Sequence, residues 1–209
     1  MIKAVLFDYG GVVKVEHPLT MDLTKICDKS DKEIEITREE RMHKYGIPAE
    51  KGFITDEDYW KGVFQIFGGE PPQSPKESVE LAQKFYRDSY IFVPEVINLA
   101  KELRGQGIIT AILSNIFKFS ADVTREKNGY DEFSPVILSY EVGMVKPEPE
   151  IYQLAIEKLN VKSEEIIFID DKERNLIPAR KLGMKTVLAK KPEQIVKDVL
   201  ALIEVDTAL

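Results

Sequence analysis

Four places in this chain carry side chains that could do chemistry together. Asp8 closes the apolar run Ala4-Val5-Leu6-Phe7 and is followed two residues later by Gly10-Gly11. Ser114-Asn115 closes a second apolar run, Lys146 stands in Gly143-Met144-Val145-Lys146-Pro147, and Asp170-Asp171 closes a third run. Taken singly, each has a plainer use. Asp8 could bond loop amides, Ser114 and Asn115 could cap a helix, and Lys146 could lie in solvent. Asp170-Asp171 could cap the helix after it and complement its dipole. Taken together they are three carboxylates against one lysine. Two carboxylates ~5 Å apart repel by ~3 kcal/mol at an effective dielectric of ~20. A divalent cation with oxygen ligands relieves that repulsion, and Mg²⁺ fits a site that also takes a phosphate.

Convergence depends on the elements that carry these residues. The runs Ala4–Phe7, 108–113, Val136–Leu138 and 166–169 are short, apolar and β-rich, and 186–188 reads as a fifth strand. Helical patterns at 96–103, Pro149–Leu159, 176–182 and 195–203 alternate with them. Alternation of this kind predicts an α/β, doubly wound, mostly parallel sheet with right-handed crossovers. Ligand sites of open α/β sheets lie at the carboxyl ends of the strands, which is where each candidate residue falls. Residues 16–92 differ: they contain no clear strand, and Leu19–Cys27, 32–45, Asp56–Phe67 and 75–90 read as amphipathic helices. The expected organisation is a core of residues 1–15 and 93–209 with a helical cap, 16–92, inserted after the first strand.

Composition narrows the functional classes. A chain of 209 residues with 44% hydrophobic and 31% charged residues reads as a globular protein. A net charge of -7 disfavours nucleic acid and anionic membranes as partners, without excluding an anionic substrate in a locally cationic pocket. No apolar stretch is long enough for a membrane span, and the first residues lack a signal-peptide pattern, so a cytoplasmic location is expected. Cys27, the single cysteine, reads as a packed thiol. His17 and His43 read as surface or helix-packing residues, Tyr59 and Trp60 as packing, and Arg38, Arg41 and Lys44 as a solvated helix face.

The order Asp8, Ser114, Lys146, Asp170-Asp171 resembles the four motifs of the haloacid dehalogenase-like hydrolase superfamily. The resemblance rests on Phe7-Asp8-Tyr9-Gly10-Gly11-Val12, Leu113-Ser114-Asn115, Val145-Lys146-Pro147-Glu148-Pro149-Glu150-Ile151-Tyr152, and Phe168-Ile169-Asp170-Asp171 with Asn175. The insertion after the first motif is similar to the helical cap of the first subclass. The resemblance implies that Asp8 is a nucleophile forming an aspartyl phosphate and that Ser114, with amides near Asn115, binds phosphoryl oxygens. It implies that Lys146 steadies the nucleophile and the phosphate. Mg²⁺ would be held by Asp8, by the carbonyl of Gly10, and by Asp170 or Asp171, the other acting through water. The implied activity is a Mg²⁺-dependent phosphatase of a small phosphate ester, acting as a monomer or homodimer.

The chain departs from that pattern at Gly10. Most phosphatases of the superfamily carry an aspartate there as general acid and base. The glycine keeps the carbonyl and loses the proton transfer, a contribution typically worth ~10²–10⁴-fold. Its absence predicts a preference for good leaving groups, such as aryl, acyl and anomeric sugar phosphates. Two other readings follow from the same resemblance. One is a metal-independent 2-haloacid dehalogenase, against which the paired Asp170-Asp171 argues. The other is a catalytically weak phosphate-binding or regulatory protein.

Overall fold

The computed structural model describes residues 1–15, 19–68 and 72–207. One five-stranded sheet runs in the order β3-β2-β1-β4-β5. Its strands are β1 (Ala4–Phe7), β2 (Ile109–Ser114), β3 (Val136–Leu138), β4 (Ile166–Asp170) and β5 (Lys185–Leu188). Every neighbouring pair is parallel. The chain builds outward from central β1 first through β2 and β3, then on the other side through β4 and β5. That reversal places a crevice at the carboxyl ends of β1, β2 and β4.

Both faces of the sheet are covered, which is why its strands read as continuous apolar runs rather than alternating ones. Val5, Phe7, Ile112, Ile167 and Ile169 face one layer with Val96, Leu99, Ile195 and Val199. Ala4, Leu6, Ala111, Leu113, Ile166 and Phe168 face the other with Ile151, Tyr152, Leu176 and Ala179.

Between β1 and β2 run α1 (Leu19–Cys27), α2 (Asp31–Ile36), α3 (Arg38–Arg41), a π-helical turn (Met42–Gly46), α4 (Ile47–Glu50), α5 (Asp56–Phe67), α6 (Pro75–Asp88) and α7 (Pro94–Gly105). Capping boxes at Ser30/Glu33, Thr55/Asp58 and Ser74/Glu77 start α2, α5 and α6. The core continues with α8 (Lys118–Glu126), α9 (Ser139–Val142), α10 (Pro149–Leu159), α11 (Glu173–Lys181) and α12 (Pro192–Thr207).

The single helix expected over 32–45 is instead α2, α3 and a π-helical turn. Arg41 is 2% exposed, not part of a solvated face. Its Nη2 donates to the Ile34 carbonyl at 2.6 Å and its Nε to Thr37 Oγ1 at 3.0 Å. The guanidinium thus serves a carbonyl near the end of α2. Lys44 does lie in solvent, paired with Glu40 at 2.6 Å. Gly46 is packed under the Met42 thioether, so that a Cβ there would stand 2.7 Å from Met42 Sδ and the methionine would have to shift. Tyr59 and Trp60 are packing residues, both fully buried. Cys27 is a packed thiol, pushed up to about 12 by burial. His17 lies outside the described residues.

The helices from α1 to α6 share their own apolar cluster, with Leu23, Ile26, Ile34, Tyr59, Trp60, Val63 and Ala82. Phe117 and Phe119, just after the end of β2, enter the same cluster. Phe117 lies 5.0 Å from the Tyr59 ring. The two chain crossings pair with each other: Val15 N–H donates to Ile91 O at 2.9 Å, and Val93 N–H to Val13 O at 2.9 Å. Tyr9 and Tyr90 hydroxyls hydrogen-bond beside them.

Gly129 floors that tyrosine pair. A Cβ at residue 129 would meet Tyr9 Oη at 2.1 Å and Tyr90 Oη at 2.2 Å. Gly129→Ala is therefore expected to destabilise the fold by ~1–3 kcal/mol, as overpacking does. For a chain of this size each kcal/mol lowers the melting temperature by roughly 2–4 °C. An unchanged melt would show that the tyrosine pair moves aside without cost.

Candidate active site

Each candidate residue stands where a strand ends. Asp8 follows β1, Ser114 is the last residue of β2, and Asp170 is the last residue of β4. The turn after Asp8 is tight: Val13 and Lys14 N–H both donate to Tyr9 O at 3.0 Å. Gly11 supplies the left-handed residue of that turn, at φ 79°, whereas Gly10 is not among the positive-φ residues.

Lys146 is the hub. Its Nζ is 2.9 Å from Asp8 Oδ1 and 2.7 Å from Asp170 Oδ2, and all three side chains are buried. Asn115 fixes the lysine's backbone from both sides. Its Nδ2 donates to Lys146 O at 2.9 Å and its Oδ1 accepts from Lys146 N at 2.7 Å. Asp170 also accepts from the Lys172 amide at 2.8 Å, and Asn175 Nδ2 donates to both its oxygens at 2.9 and 3.0 Å. Asp8 does bond a loop amide, accepting from Tyr9 N at 2.7 Å, but capping does not describe the others. The residues at the N-caps of α8 and α11 are Phe117 and Lys172, neither with a side-chain cap.

Asp171 completes an acidic group. One carboxylate oxygen from each of Asp8, Asp170 and Asp171 lies within 4.8 Å of the others. At that separation each pair repels by about 3 kcal/mol at an effective dielectric of ~20. Burial, with Asp170 adding to it, pushes the Asp8 carboxyl up to about 7, against the opposing pull of Lys146. Burial works against the charge of Lys146, but Asp8 and Asp170 outweigh it and hold the ammonium above its ordinary range. Three hard oxygen donors this close, with one internal cation, suit a divalent ion of the Mg²⁺ or Ca²⁺ type. The Ser114 hydroxyl, 2% exposed at residue level, has no hydrogen-bond partner among the described residues and borders a cavity.

Two cavities share Gly10, Asn115 and Glu50, and the larger reaches Asp8 and Lys146 of this cluster. One, of ≈ 830 Å³, is bordered by Asp8, Gly10, Asn115 and Lys146, and by Arg38, His43 and Glu50 of the helical insertion. The other, of ≈ 510 Å³, is bordered by Gly10, Ser114 and Phe117, and by Arg41, Glu50 and Tyr86. Both volumes fall in the range of small-molecule sites. His43 is exposed, on the cavity wall.

Sequence reading missed Glu50, and it missed the use of Asn115 as a clamp on the Lys146 backbone. For Glu50 the available signal was only its place at a helix end in a charge-rich segment. For Asn115 there was none, because its partner lies 31 residues away.

A doubly wound sheet with a buried aspartate, lysine and acidic pair at its strand ends defines a class of hydrolase, and the comparisons agree. The family model of the haloacid dehalogenase-like hydrolases matches residues 2–183, and this chain belongs to that family. It is 28% identical to the Sesquiterpene phosphatase astK of Aspergillus oryzae, over 87% of each chain. It is 34% identical to Acyl-CoA dehydrogenase family member 10 of Mus musculus, over 53% of this chain and 10% of that protein's length. A crystal structure of the HAD family enzyme BT-2542 from Bacteroides thetaiotaomicron, in complex with magnesium and inorganic phosphate, superposes with a TM-score of 0.71. That match has 28% identity and covers 91% of this chain and 96% of the other. Among the described residues no helix is long and apolar enough to cross a membrane.

Proposed function

We propose that this chain is a Mg²⁺-dependent phosphatase of a small phosphorylated metabolite, working through an aspartyl-phosphate intermediate. The observation that carries this reading is the cluster of Asp8, Asp170 and Asp171 within 4.8 Å, with Lys146 bridging two of them. Asp8, Asp170 and Asp171 would hold the ion, together with the Gly10 carbonyl. When bound, Mg²⁺ supplies neutralisation of the charge on the phosphoryl oxygens. Cavities in the small-molecule range and the phosphatase relative support the reading.

The protein's own groups divide the remaining work. An Asp8 oxygen attacks phosphorus, and the leaving oxygen departs with its electron pair. Lys146 holds Asp8 beside Asp170, so the nucleophile is oriented and its anion is favoured against the effect of burial. Asn115 positions Lys146 through its backbone. Ser114 Oγ donates to a phosphoryl oxygen. Helices α1–α6, within residues 16–92, act as the cap, and Phe117 and Phe119 couple them to the Ser114 loop.

A panel of aryl, alkyl, sugar, nucleotide and organic-acid phosphates, assayed with Mg²⁺ and with chelator, tests this. Phosphate release that needs Mg²⁺ is expected. Halide release from a 2-haloacid in chelator would establish the dehalogenase reading instead. Binding of a phosphate analogue with no turnover would establish the binding-protein reading.

A further inference from the structure

The missing acid at residue 10 leaves the leaving oxygen without a proton donor on the core. The surrounding walls hold several other acids, and most are committed elsewhere. Glu148 pairs with Lys51 at 2.6 Å and accepts from Val145 N at 3.2 Å. Glu35 pairs with Arg38 at 3.6 Å and, like Glu39, is exposed. Asp22 borders the smaller cavity but not the one that reaches Asp8. Among the carboxylic acids, Glu50 alone borders both cavities, along with Gly10, and it makes no hydrogen bond or ion pair among the described residues.

The structure assigns Glu50, carried to the site on the helical insertion, as the general acid and base of the phosphatase, which makes unactivated alkyl phosphate esters its substrate class. This assignment rests on the phosphatase reading above.

The backbone beside Glu50 is docked on the core. Lys51, the next residue, forms its ion pair with Glu148, two residues beyond Lys146. Gly52, at φ 69°, passes so close to the core that a Cβ there would stand 2.2 Å from the Tyr140 carbonyl oxygen. These contacts dock the backbone of residues 51 and 52 on the core and so keep residue 50 beside the two cavities it borders. Lys172, Arg174 and Lys146 face it from the core and favour its anion, but burial outweighs them and pushes it up to about 7. A group so placed can both give and take a proton near neutrality.

The proton balance closes over two steps. In the first, an Asp8 oxygen bonds to phosphorus, the bond to the leaving oxygen breaks, and that oxygen takes the Glu50 proton to leave as an alcohol. In the second, the Glu50 carboxylate takes a proton from water as its oxygen bonds to phosphorus. The phosphorus–Asp8 bond breaks, releasing inorganic phosphate, the Asp8 carboxylate and protonated Glu50. The preference for activated esters expected from Gly10 then belongs to a variant lacking Glu50, not to the natural chain.

The test compares wild type and Glu50→Gln on glycerol phosphate and on para-nitrophenyl phosphate, with Mg²⁺, after circular dichroism shows both folded. kcat/KM reports the first step alone. It is expected to fall ~10²–10³-fold on the alkyl ester and less than ~10-fold on the aryl ester, whose leaving group needs no proton. Slower hydrolysis of the aspartyl phosphate should appear as a burst of para-nitrophenol. Adding Gly10→Asp to the variant should restore the alkyl ester at least ~10-fold, since residue 10 is not in the left-handed region. Equal losses on both esters would show that Glu50 only holds the cap, and would overturn the assignment, as would no loss on either. A wild type inactive on both esters would overturn the phosphatase reading itself.

Discussion

Asp8→Asn is expected to abolish turnover while leaving the fold intact. Asp8 lies at the lip of the central strand, hydrogen-bonded by its neighbour's amide at 2.7 Å and by Lys146 at 2.9 Å. The amide has nearly the same shape, and its oxygen can still accept both bonds. What it loses is the anionic oxygen proposed to attack phosphorus. Removing a nucleophile from an interdependent site typically costs 10⁴-fold or more in kcat. Stability should hardly change, because two opposing effects cancel in part. The variant gives up an ion pair to Lys146, but it also removes repulsion from Asp170 and Asp171, about 3 kcal/mol per pair before any cation binds. Steady-state assays and thermal melts run side by side decide the matter. Near-normal activity in a folded Asp8→Asn protein would show that another group attacks phosphorus.

The convergence of Asp8, Ser114 and Asp170 was legible in the sequence because it rests on the most local signals in the chain. β1, β2 and β4 are buried on both faces, so their apolar runs end abruptly where the chain leaves the sheet. Asp8, Ser114 and Asp170 mark those ends. Once the strands are parallel, their polar ends must meet. The helical insertion was harder to read, because contacts rather than local preference shape it. Nothing in residues 32–45 alone signals that Arg41 folds back to the Ile34 carbonyl. Nor does it signal that the chain takes a π-helical turn over Met42–Gly46. Glu50 is the sharper case. Its surroundings come from Lys146, Lys172 and Arg174, more than 90 residues away in the chain, so its role exists only in the folded protein.

Loss of Mg²⁺ and loss of its acidic ligands should not be equivalent, and the two motif-four aspartates should separate. Asp171→Ala is expected to cost metal affinity with less cost in stability than loss of Asp170, because its carboxylate, 3.8 Å from Lys172 Nζ, is only half-buried. Asp170→Ala is expected to cost both. Asp170 is fully buried and holds Lys146, Asn175 and the Lys172 amide together. Breaking a buried, hydrogen-bonded ion pair on one side typically costs ~3–5 kcal/mol, since the remaining groups stay buried without their partner. For a chain of this length that amounts to roughly 6–20 °C in melting temperature. The sequence alone favours Asp171 as the heavier loss to metal and activity; the buried network makes Asp170 the more damaging loss to the fold. In the wild type, Mg²⁺ at ~100 times its dissociation constant should add about 2.7 kcal/mol by mass action, and chelator should remove it. The Asp171→Ala melt should be insensitive to Mg²⁺ over the same range, and its phosphatase activity should fall sharply. Calorimetry together with melts at several Mg²⁺ concentrations provides the check. Unchanged Mg²⁺ affinity in both variants would mean that the acidic group only braces the loops after β1 and β4, and that the phosphoryl charge is met by Lys146 alone.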